Sequence, residues 1–224
     1  AAIWRVPDDK VSVLYSGVND RFRPVTDTTA LAAVRARYGL GDRPYVLAVG
    51  TVQPRKNYEL LVRAFRAVTQ AGPHVLVIAG GRGWLTEGLD AEITRQGVAD
   101  RVILPGFVDD ADLPALYSAA SLFVFPSLYE GFGLPLLEAM ACGVPIISSD
   151  ASSLPEVAAT GGEPAALLLP PDDEAGWSVA MLRLLAGDAA RQRLISAGKA
   201  QAARFTWQAA ARQLAALYER LLAL

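Results

Sequence analysis

The sequence predicts an α/β fold, a doubly wound, Rossmann-like parallel sheet of six strands with helices on both faces. Six short runs are continuously apolar, and a helical pattern lies between each run and the next. Strands covered on both faces lose the apolar–polar alternation of half-exposed strands, so these runs indicate buried parallel strands. The alternation of strand and helix implies right-handed crossovers, which build a doubly wound sheet.

The predicted elements occupy most of the chain. The strands are expected at residues 45–49, 74–79, 101–104, 122–125, 144–148 and 165–169. The helices between them are expected at 57–70, 85–96, 112–119, 134–141 and 155–159. A lead-in helix at 28–38 ends at Gly39, residues 11–15 form a candidate extra strand, and three further helices follow at 173–185, 189–203 and 207–222.

The composition favours a single globular domain. Of the 224 residues, 52% are hydrophobic, which allows a sizeable core, and no linker rich in Pro, Gly or Ser divides the chain. The net charge of −2 leaves no footprint for nucleic acid. The single cysteine, Cys142, excludes an internal disulfide and a cysteine-based metal cluster, and we expect it to be a buried thiol in a reducing, cytoplasmic setting.

The sequence predicts no membrane span and no leader peptide. The apolar runs are far too short to cross a bilayer, and no charged region followed by an apolar one opens the chain. The first residues, AAIWRVPDDK, read like the middle of a longer protein.

The loops that follow the strands carry the candidate site, because ligands of doubly wound sheets bind at the carboxyl ends of the strands. After the first strand, Gly50 allows a sharp turn, and Arg55 and Lys56 place two cations before a helix. Asn57 is a candidate N-cap of that helix. Two cations beside a helix N-terminus would neutralise a diphosphate without a metal ion. The alternative is solvated surface charge.

The segment after the fourth strand is the most informative. Glu130 and Glu138 flank a turn that contains Gly131 and Gly133, and a helix begins after it. Such a turn offers free N–H groups and a positive helix end to a phosphate, while the carboxylates accept hydrogen bonds from hydroxyls. We expect Glu130 to point towards the far end of the ligand and Glu138 to point back over the helix N-terminus. Phosphate next to hydroxyls describes a nucleotide sugar.

The second and third loops are less specific. Gly80 begins a glycine cluster that forms either a plain turn or a close approach of the backbone to a ligand. The first two loops lack the dinucleotide fingerprint, which argues against a nicotinamide enzyme. After the third strand, Phe107 and Val108 either line a base pocket or plug the space between strand and helix. His74, the only histidine, begins the second strand at the opposite edge of the sheet, and no nucleophile triad is evident.

At these residues the chain resembles the carboxyl-terminal, donor-binding domain of retaining glycosyltransferases of the GT-B fold, family 4, also called group 1. Two motifs carry the resemblance: VGTVQPRKN at residues 49–57, and two glutamates separated by seven residues within EGFGLPLLEAMACGVPII. Further matches are YSGVNDRFRP at 15–24, PGFV at 105–108, LYSAASLFVFPS at 116–127 and FTWQ at 205–208, so the resemblance covers nearly the whole chain.

The resemblance implies roles for individual residues. Lys56 corresponds to the lysine that contacts the donor diphosphate. Glu130 corresponds to the acid that holds the sugar hydroxyls, and Glu138 to the acid that binds the ribose. Val108 is expected to contact the base. Backbone contacts to the diphosphate and the sugar are expected from Phe132, Gly133 and Leu134.

One position departs from the family pattern. Many members have an arginine directly after the glycine of the first loop, where this chain has Thr51, and Arg55 is expected to supply that charge. The expected catalytic residues are Glu130, Lys56 and Arg55. The expected donor contacts are Gly50, Thr51, Arg55, Lys56, Gly80, Phe107, Val108, Glu130, Gly131, Phe132, Gly133, Leu134 and Glu138.

The resemblance also implies a reaction, a metal-independent, retaining transfer of a hexosyl group from a nucleotide sugar to an acceptor hydroxyl in bacterial polysaccharide or glycolipid synthesis. The PRKN loop favours GDP-mannose as donor, with UDP- or ADP-glucose as alternatives. Two other hypotheses stay open, a related GT-B nucleotide-sugar epimerase and a non-catalytic nucleotide-binding module.

In the GT-B fold a second, amino-terminal domain binds the acceptor. Residues 1–27 would lead in from the interdomain linker, and residues 205–224 would cross back to that domain. The last helix has one apolar face, which either packs on the domain's own sheet or docks on the missing half: Leu214, Leu217, Tyr218, Leu221 and Leu222. Without that half the domain is expected to be inactive, and contact with the inner membrane face would arise only through it.

Overall fold

The computed structural model describes residues 6–7, 10–84, 87–159 and 163–223. It confirms the predicted α/β class, because one sheet of six parallel strands carries helices on both faces. The strands are β1 (Tyr45–Val49), β2 (Val75–Ala79), β3 (Val102–Gly106), β4 (Leu122–Phe125), β5 (Ile146–Ser149) and β6 (Leu167–Leu169).

The helices alternate with the strands as the sequence predicts. They are α1 (Thr28–Arg37), α2 (Tyr58–Ala71), α3 (Glu87–Gln96), α4 (Leu113–Ser118), α5 (Leu134–Cys142), α6 (Leu154–Ala159), α7 (Glu174–Ala186), α8 (Asp188–Ala202) and α9 (Trp207–Leu222). Short 3-10 helices lie at Pro54–Lys56 and Ala99–Arg101.

The order of the strands places the candidate site. From edge to edge the order is β3-β2-β1-β4-β5-β6, and every neighbouring pair is parallel. The chain therefore runs outward from β1 to β3 on one side and then returns to the other side of β1 with β4. The switch in strand order falls between β1 and β4, where the loops after these strands form the crevice that binds ligands in such sheets.

Alternate residues of each strand are buried against different helices. Leu47 and Phe123 lie in the apolar cluster that contains buried residues of α4, α5 and α6. Val46 and Val124 lie in the cluster formed with α2, α3 and α7. Because both faces of the strands are covered, the apolar runs are continuous, which is the pattern that predicted them.

The predicted ends of the elements hold to within two residues, with two qualifications. β5 begins at Ile146, not at 144, because Pro145 has no N–H to donate to a neighbouring strand. The predicted start of α3 at Leu85 lies outside the described residues. So do positions 1–5 and 8–9, which belong to the segment in which the sequence predicts no leader peptide.

The predicted extra strand at 11–15 is wrong. Val11, Val13 and Leu14 are exposed and form no ladder. Tyr15 instead packs its ring against Phe132 and Phe205, with centroid distances of 6.2 and 5.7 Å. The apolar residues of this segment therefore do not mark a strand. Tyr15 makes aromatic contacts, and Val11, Val13 and Leu14 lie on the surface.

Of the two alternatives for the apolar face of the last helix, packing on the domain's own sheet is wrong. Helix α9 has no buried residue, and Leu214, Tyr218, Leu221 and Leu222 are exposed. The helix is nevertheless well formed at its start, because Thr206 Oγ1 accepts a hydrogen bond from the N–H of Ala209 at 3.0 Å. Its apolar face is left uncovered by the described part of the chain.

The loops after β1 and β2 pass unusually close to each other. Gly80 has φ +154°, and a Cβ atom there would lie 2.2 Å from the carbonyl oxygen of Gly50. The N–H of Gly80 donates to the oxygen of Gly106 at 2.8 Å, which fixes this backbone against β3 as well. The close approach that the sequence suggested is therefore satisfied by neighbouring backbone, and a contact of Gly80 with a ligand stays a prediction.

Gly80→Ala is expected to destabilise the domain strongly. The methyl group would meet backbone that cannot rotate away, in a conformation that L-residues rarely adopt, so we expect a loss of about 3 kcal/mol or more in the free energy of unfolding. Urea unfolding would measure it. The matched control is Gly81→Ala, where a Cβ meets nothing within 4 Å. Similar stability of both variants would contradict the close packing of these loops.

Candidate functional site

The loops after β1 and β4 meet at the switch in strand order. The N–H of Leu128 donates to the carbonyl oxygen of Arg55 at 2.8 Å, and Arg55 Nη1 donates to the oxygen of Tyr129 at 3.0 Å. These bonds join two segments that are far apart in sequence. The two loops singled out by the sequence are thus brought together in one place.

Glu130 forms ion pairs with both cations of the first loop. Lys56 Nζ lies 2.6 Å from Glu130 Oε1, and Arg55 Nη1 lies 2.8 Å from Glu130 Oε2. Lys56 and Glu130 are only 5% and 8% exposed, so their pair is largely shielded from water. The ammonium group of Lys56 also lies 4.6 Å from the ring centre of Phe125, which adds a cation–π contact. The sequence predicted these cations and this acid but not their direct pairing.

Gly50 leaves room for the Lys56 side chain. Gly50 has φ +145°, and a Cβ atom there would lie 2.9 Å from Lys56 Cε and 3.0 Å from Nζ. Tyr58, which is buried, donates its hydroxyl hydrogen to the oxygen of Gly50 at 3.2 Å. The glycine thus lets the lysine pass beneath the loop to reach Glu130.

Burial and the charge of the partner shift the pKa values of Lys56 and Glu130 in opposite directions. Burial alone would raise the pKa of Glu130, but hydrogen bonding and charge from Lys56 outweigh it and hold that pKa below its usual value. Burial lowers the pKa of Lys56, and the carboxylate of Glu130 opposes that shift. Glu130 is therefore a firmly ionised carboxylate that occupies the position where two cations converge.

The turn after Glu130 is held by the start of α6. The N–H of Glu130 donates to Ser152 Oγ at 2.9 Å, and Ser153 Oγ donates to the carbonyl oxygens of Glu130 and Phe132, both at 3.1 Å. Gly133 has φ +101°, and a Cβ atom there would lie 2.6 Å from Leu154 Cδ2. The turn is therefore a rigid element whose shape requires glycine.

This turn presents unused backbone donors beside the two cations. Among the hydrogen bonds of the described residues, none engages the N–H groups of Gly131, Phe132, Gly133 or Leu134. Helix α5 begins at Leu134 without a side-chain cap, so its positive end is open as well. Free N–H groups at a helix start next to two cations have the charge and the donors that a doubly charged anion requires.

Glu138 lies in a different environment from Glu130. Its Oε2 accepts a hydrogen bond from the hydroxyl of Tyr117 at 2.9 Å. Burial raises the pKa of Glu138, while Tyr117 and Arg21 lower it and Asp110 raises it further. The two acids thus contact separate sets of residues, and the parts of a ligand that each would hold stay a prediction.

Comparison with known proteins assigns the family. Residues 33–201 match the family described as "Glycosyl transferases group 1". A curated relative, O-antigen chain mannosyltransferase B of Escherichia coli, is 34% identical over 221 residues, which are 98% of this chain and 57% of the relative. The chain belongs to the group 1 glycosyltransferases. It spans about half the length of the first curated relatives that it matches.

Solved structures agree with a carboxyl-terminal GT-B domain of a group 1 glycosyltransferase. Sucrose-phosphate synthase from Thermosynechococcus elongatus superposes with a TM-score of 0.79 at 35% identity, over 93% of this chain and 52% of that one. Anabaena Alr3699/HepE, solved in complex with UDP and glucose, superposes with a TM-score of 0.84 at 23% identity, over 100% of this chain and 60% of that one. The second likeness supports the fold alone.

Three predicted site residues, Val108, Phe107 and Thr51, and the predicted N-cap Asn57 have mixed outcomes. Val108 is buried, whereas Phe107 is 72% exposed at the mouth of the loop, so Phe107 does not act as a plug. Thr51 is exposed in the first loop. Asn57 does not cap α2 with its side chain, because it adopts a left-handed conformation, φ 57°, and its Nδ2 donates to the oxygen of Pro171 at 2.7 Å. The expected cap is therefore wrong.

The serines that support the turn were not predicted from the sequence. Ser152 and Ser153 follow β5, and thus lie at the same edge of the sheet as the other loops. Their position directly after a predicted strand is a signal that marks them as neighbours of the site. Tyr117 gave no comparable signal, because an aromatic residue in an apolar helix is an ordinary core residue.

Two further features concern ions and membranes. In the described ranges, no three His, Cys, Asp or Glu side chains are grouped so as to hold a metal ion. None of the helices described is long and apolar enough to cross a bilayer. Cys142 is buried as expected, and burial raises the pKa of its thiol to about 12.

Proposed function

We propose that this chain is the donor-binding half of a retaining glycosyltransferase that transfers a hexosyl group from a nucleotide sugar to an acceptor hydroxyl. The observation that carries the proposal is the convergence of Lys56, Arg55 and the free N–H groups of the 131–134 turn around Glu130. Cations and N–H groups suit a diphosphate, and the carboxylate suits sugar hydroxyls.

Donor binding would exchange one anion for another at the two cations. The diphosphate takes over Lys56 and Arg55, and Glu130 turns to accept hydrogen bonds from the sugar hydroxyls. Because Lys56 is paired before and after the exchange, its charge is never left buried without a partner. The diphosphate also gains the N–H groups of Phe132, Gly133 and Leu134 at the start of α5.

Transfer would be driven by stabilising the leaving group. As the bond between the anomeric carbon and the diphosphate breaks, negative charge grows on the diphosphate, where the cations and N–H groups already point. The acceptor oxygen bonds to the anomeric carbon on the same face, and its proton passes to the departing diphosphate. Glu130 would orient the sugar and favour positive charge at the anomeric carbon. These steps need no protein nucleophile and no metal ion.

The nucleoside would lie on the far side of α5. Glu138 accepts hydrogen bonds from the ribose, and Val108 with Phe107 borders the base. GDP-mannose is the favoured donor, supported by the mannosyltransferase name of the Escherichia coli relative. UDP- or ADP-glucose is the alternative, and the UDP and glucose of the Anabaena complex belong to that protein.

The exposed apolar face of α9 would pack on the amino-terminal, acceptor-binding domain of the full-length protein. Leu214, Tyr218 and Leu221 lie along this face and have no cover within the described residues. Residues 1–27 would lead in from the same domain interface. We expect a cytoplasmic enzyme in which any contact with the inner membrane face is made by the acceptor half.

Isothermal titration calorimetry of this chain with GDP, UDP and ADP would test the proposal. We expect at least one of them to bind with a dissociation constant in the micromolar range, GDP most tightly, and inorganic phosphate far more weakly because it lacks the ribose and the second phosphate. Failure of all three to bind would refute the donor site and would favour a non-catalytic module that uses the fold for protein assembly. Release of a 2-epimer from the donor without acceptor would favour the epimerase.

A further inference from the structure

Tyr117 is a fully buried aromatic residue of α4 with its hydroxyl on the carboxylate of Glu138. The distance from Tyr117 Oη to Glu138 Oε2 is 2.9 Å. The ring makes edge contacts with Phe22 and Phe123, with centroid distances of 6.0 and 5.3 Å, so it is enclosed by other rings. A side chain held in this way presents its hydroxyl in one fixed direction.

We infer that Tyr117 is a positioning residue that orients Glu138 towards the ribose diol of the nucleotide. By taking one carboxylate oxygen, its hydroxyl fixes the plane of the group and leaves Oε1 free to accept from the ribose. The inference rests on the proposed function, because it needs a nucleotide at this site. Nothing in the family resemblance assigns a role to Tyr117.

The Tyr117 hydroxyl is the main polar contact of the Glu138 carboxylate within the described part of the chain. Among the hydrogen bonds of the described residues, the one from Tyr117 is the only one that reaches Glu138. The neighbouring charges of Arg21 and Asp110 pair with each other at 2.8 Å. They act on the pKa of Glu138 in opposite directions. Tyr117 is therefore the group that both orients the carboxylate and favours its ionised form.

The alternative is a purely structural role for Tyr117, and Tyr45 is an example of a buried tyrosine with such a role in this fold. Tyr45 is also fully buried, and it donates its hydroxyl hydrogen to the backbone oxygen of Leu116 at 2.6 Å. A buried tyrosine is thus satisfied by a carbonyl oxygen one residue away from Tyr117. Tyr117 instead reaches across to a carboxylate on α5, at the mouth of the proposed nucleoside pocket.

The test compares two ligands on Tyr117→Phe. The ligands are the nucleoside diphosphate that binds most tightly among GDP, UDP and ADP, and its 2′,3′-dideoxy analogue, both titrated by calorimetry. We expect Tyr117→Phe to weaken binding of the ribonucleotide about tenfold and to leave the dideoxy affinity unchanged. Glu138→Gln should show the same selectivity with a larger loss, and the double variant should lose no more than Glu138→Gln alone.

The outcomes separate the inference from the proposed function. Equal weakening of both ligands, or no weakening of either, would overturn the role of Tyr117 while nucleotide binding by the unaltered chain still supports the donor site. Failure of the unaltered chain to bind any nucleotide would overturn both. Thermal unfolding of the variant, together with Tyr45→Phe as a buried-hydroxyl control, separates loss of positioning from loss of fold.

The pH dependence gives a second readout. Loss of the Tyr117 hydroxyl removes a hydrogen bond to the ionised form of Glu138, so the pKa of Glu138 rises. The affinity for the ribonucleotide, which falls as Glu138 is protonated, should therefore fall at a higher pH in Tyr117→Phe. The other groups near this carboxylate are Arg21, Asp110 and Cys142. An unchanged pH profile would contradict the inference.

Discussion

Replacing Glu130 by glutamine is expected to move two measurements in opposite directions. Transfer by the full-length protein should fall by about 100- to 1,000-fold, because the carboxylate that orients the sugar and favours charge at the anomeric carbon is lost. Binding of inorganic pyrophosphate to this chain should tighten roughly tenfold, because Lys56 and Arg55 no longer hold a competing anion. The glutamine oxygen can still accept a hydrogen bond from Lys56.

The matched control for this result is Glu138→Gln. Glu138 contacts Tyr117 and neither cation, so its loss should leave pyrophosphate affinity unchanged while weakening nucleotide binding. Calorimetry measures the affinities of both variants for pyrophosphate and nucleotide. Product formation by the full-length protein measures transfer. If Glu130→Gln weakened pyrophosphate binding, the carboxylate would not be competing for the cations, and the exchange of anions proposed for donor binding would be wrong.

Lys56→Met should abolish useful affinity for the donor. The ammonium group is buried, is 2.6 Å from Glu130 and lies over Phe125, so methionine keeps the volume and removes the charge. Removing a desolvated cation from an anion site costs about 3 kcal/mol, on the order of 100-fold in affinity. In addition, Glu130 would be left with Arg55 as its partner, so we expect some loss of stability as well.

Two other cations provide controls for Lys56→Met. Arg55 is more exposed, with 42% of its side chain accessible, so Arg55→Met should weaken nucleotide binding by a smaller factor, about tenfold. Arg82 follows β2 and is held by both carboxylate oxygens of Asp90, so Arg82→Met should leave binding unchanged. Equal losses of nucleotide affinity in all three variants would indicate a general electrostatic effect and would contradict the assignment of Lys56 to the diphosphate.

Much of this fold could be predicted because its local patterns agree with its tertiary structure. Continuous apolar runs marked the strands, since both faces of the sheet are covered, and buried positions at helical spacing, such as Leu61, Phe65 and Val68, marked α2. The same rules failed at residues 11–15, and in α9 they predicted the helix but not what its apolar face packs against. There the apolar residues serve an aromatic contact or remain uncovered, and sequence periodicity does not say what a face packs against.

The candidate site could be predicted in its components but not in its pairing. Reading the loops after the strands found Gly50, Lys56 and Glu130, because parallel strands bring these loops to one edge. The family resemblance assigned Lys56 to phosphate and Glu130 to sugar, whereas in the structure Lys56 donates a hydrogen bond to Glu130. Whether two opposite charges pair across a crevice depends on the distance between them in the fold, which their spacing along the chain does not give.

The pairing of Lys56 with Glu130 also links the site to the folding of the domain. The two residues are 74 positions apart in sequence, and all the elements from α2 to β4 lie between them. The pair cannot form until that intervening chain has closed, so the anion pocket is absent from partly folded states. A nucleotide that binds there favours the complete domain over all of them, and at a hundred times its dissociation constant it adds about 2.7 kcal/mol to the free energy of unfolding.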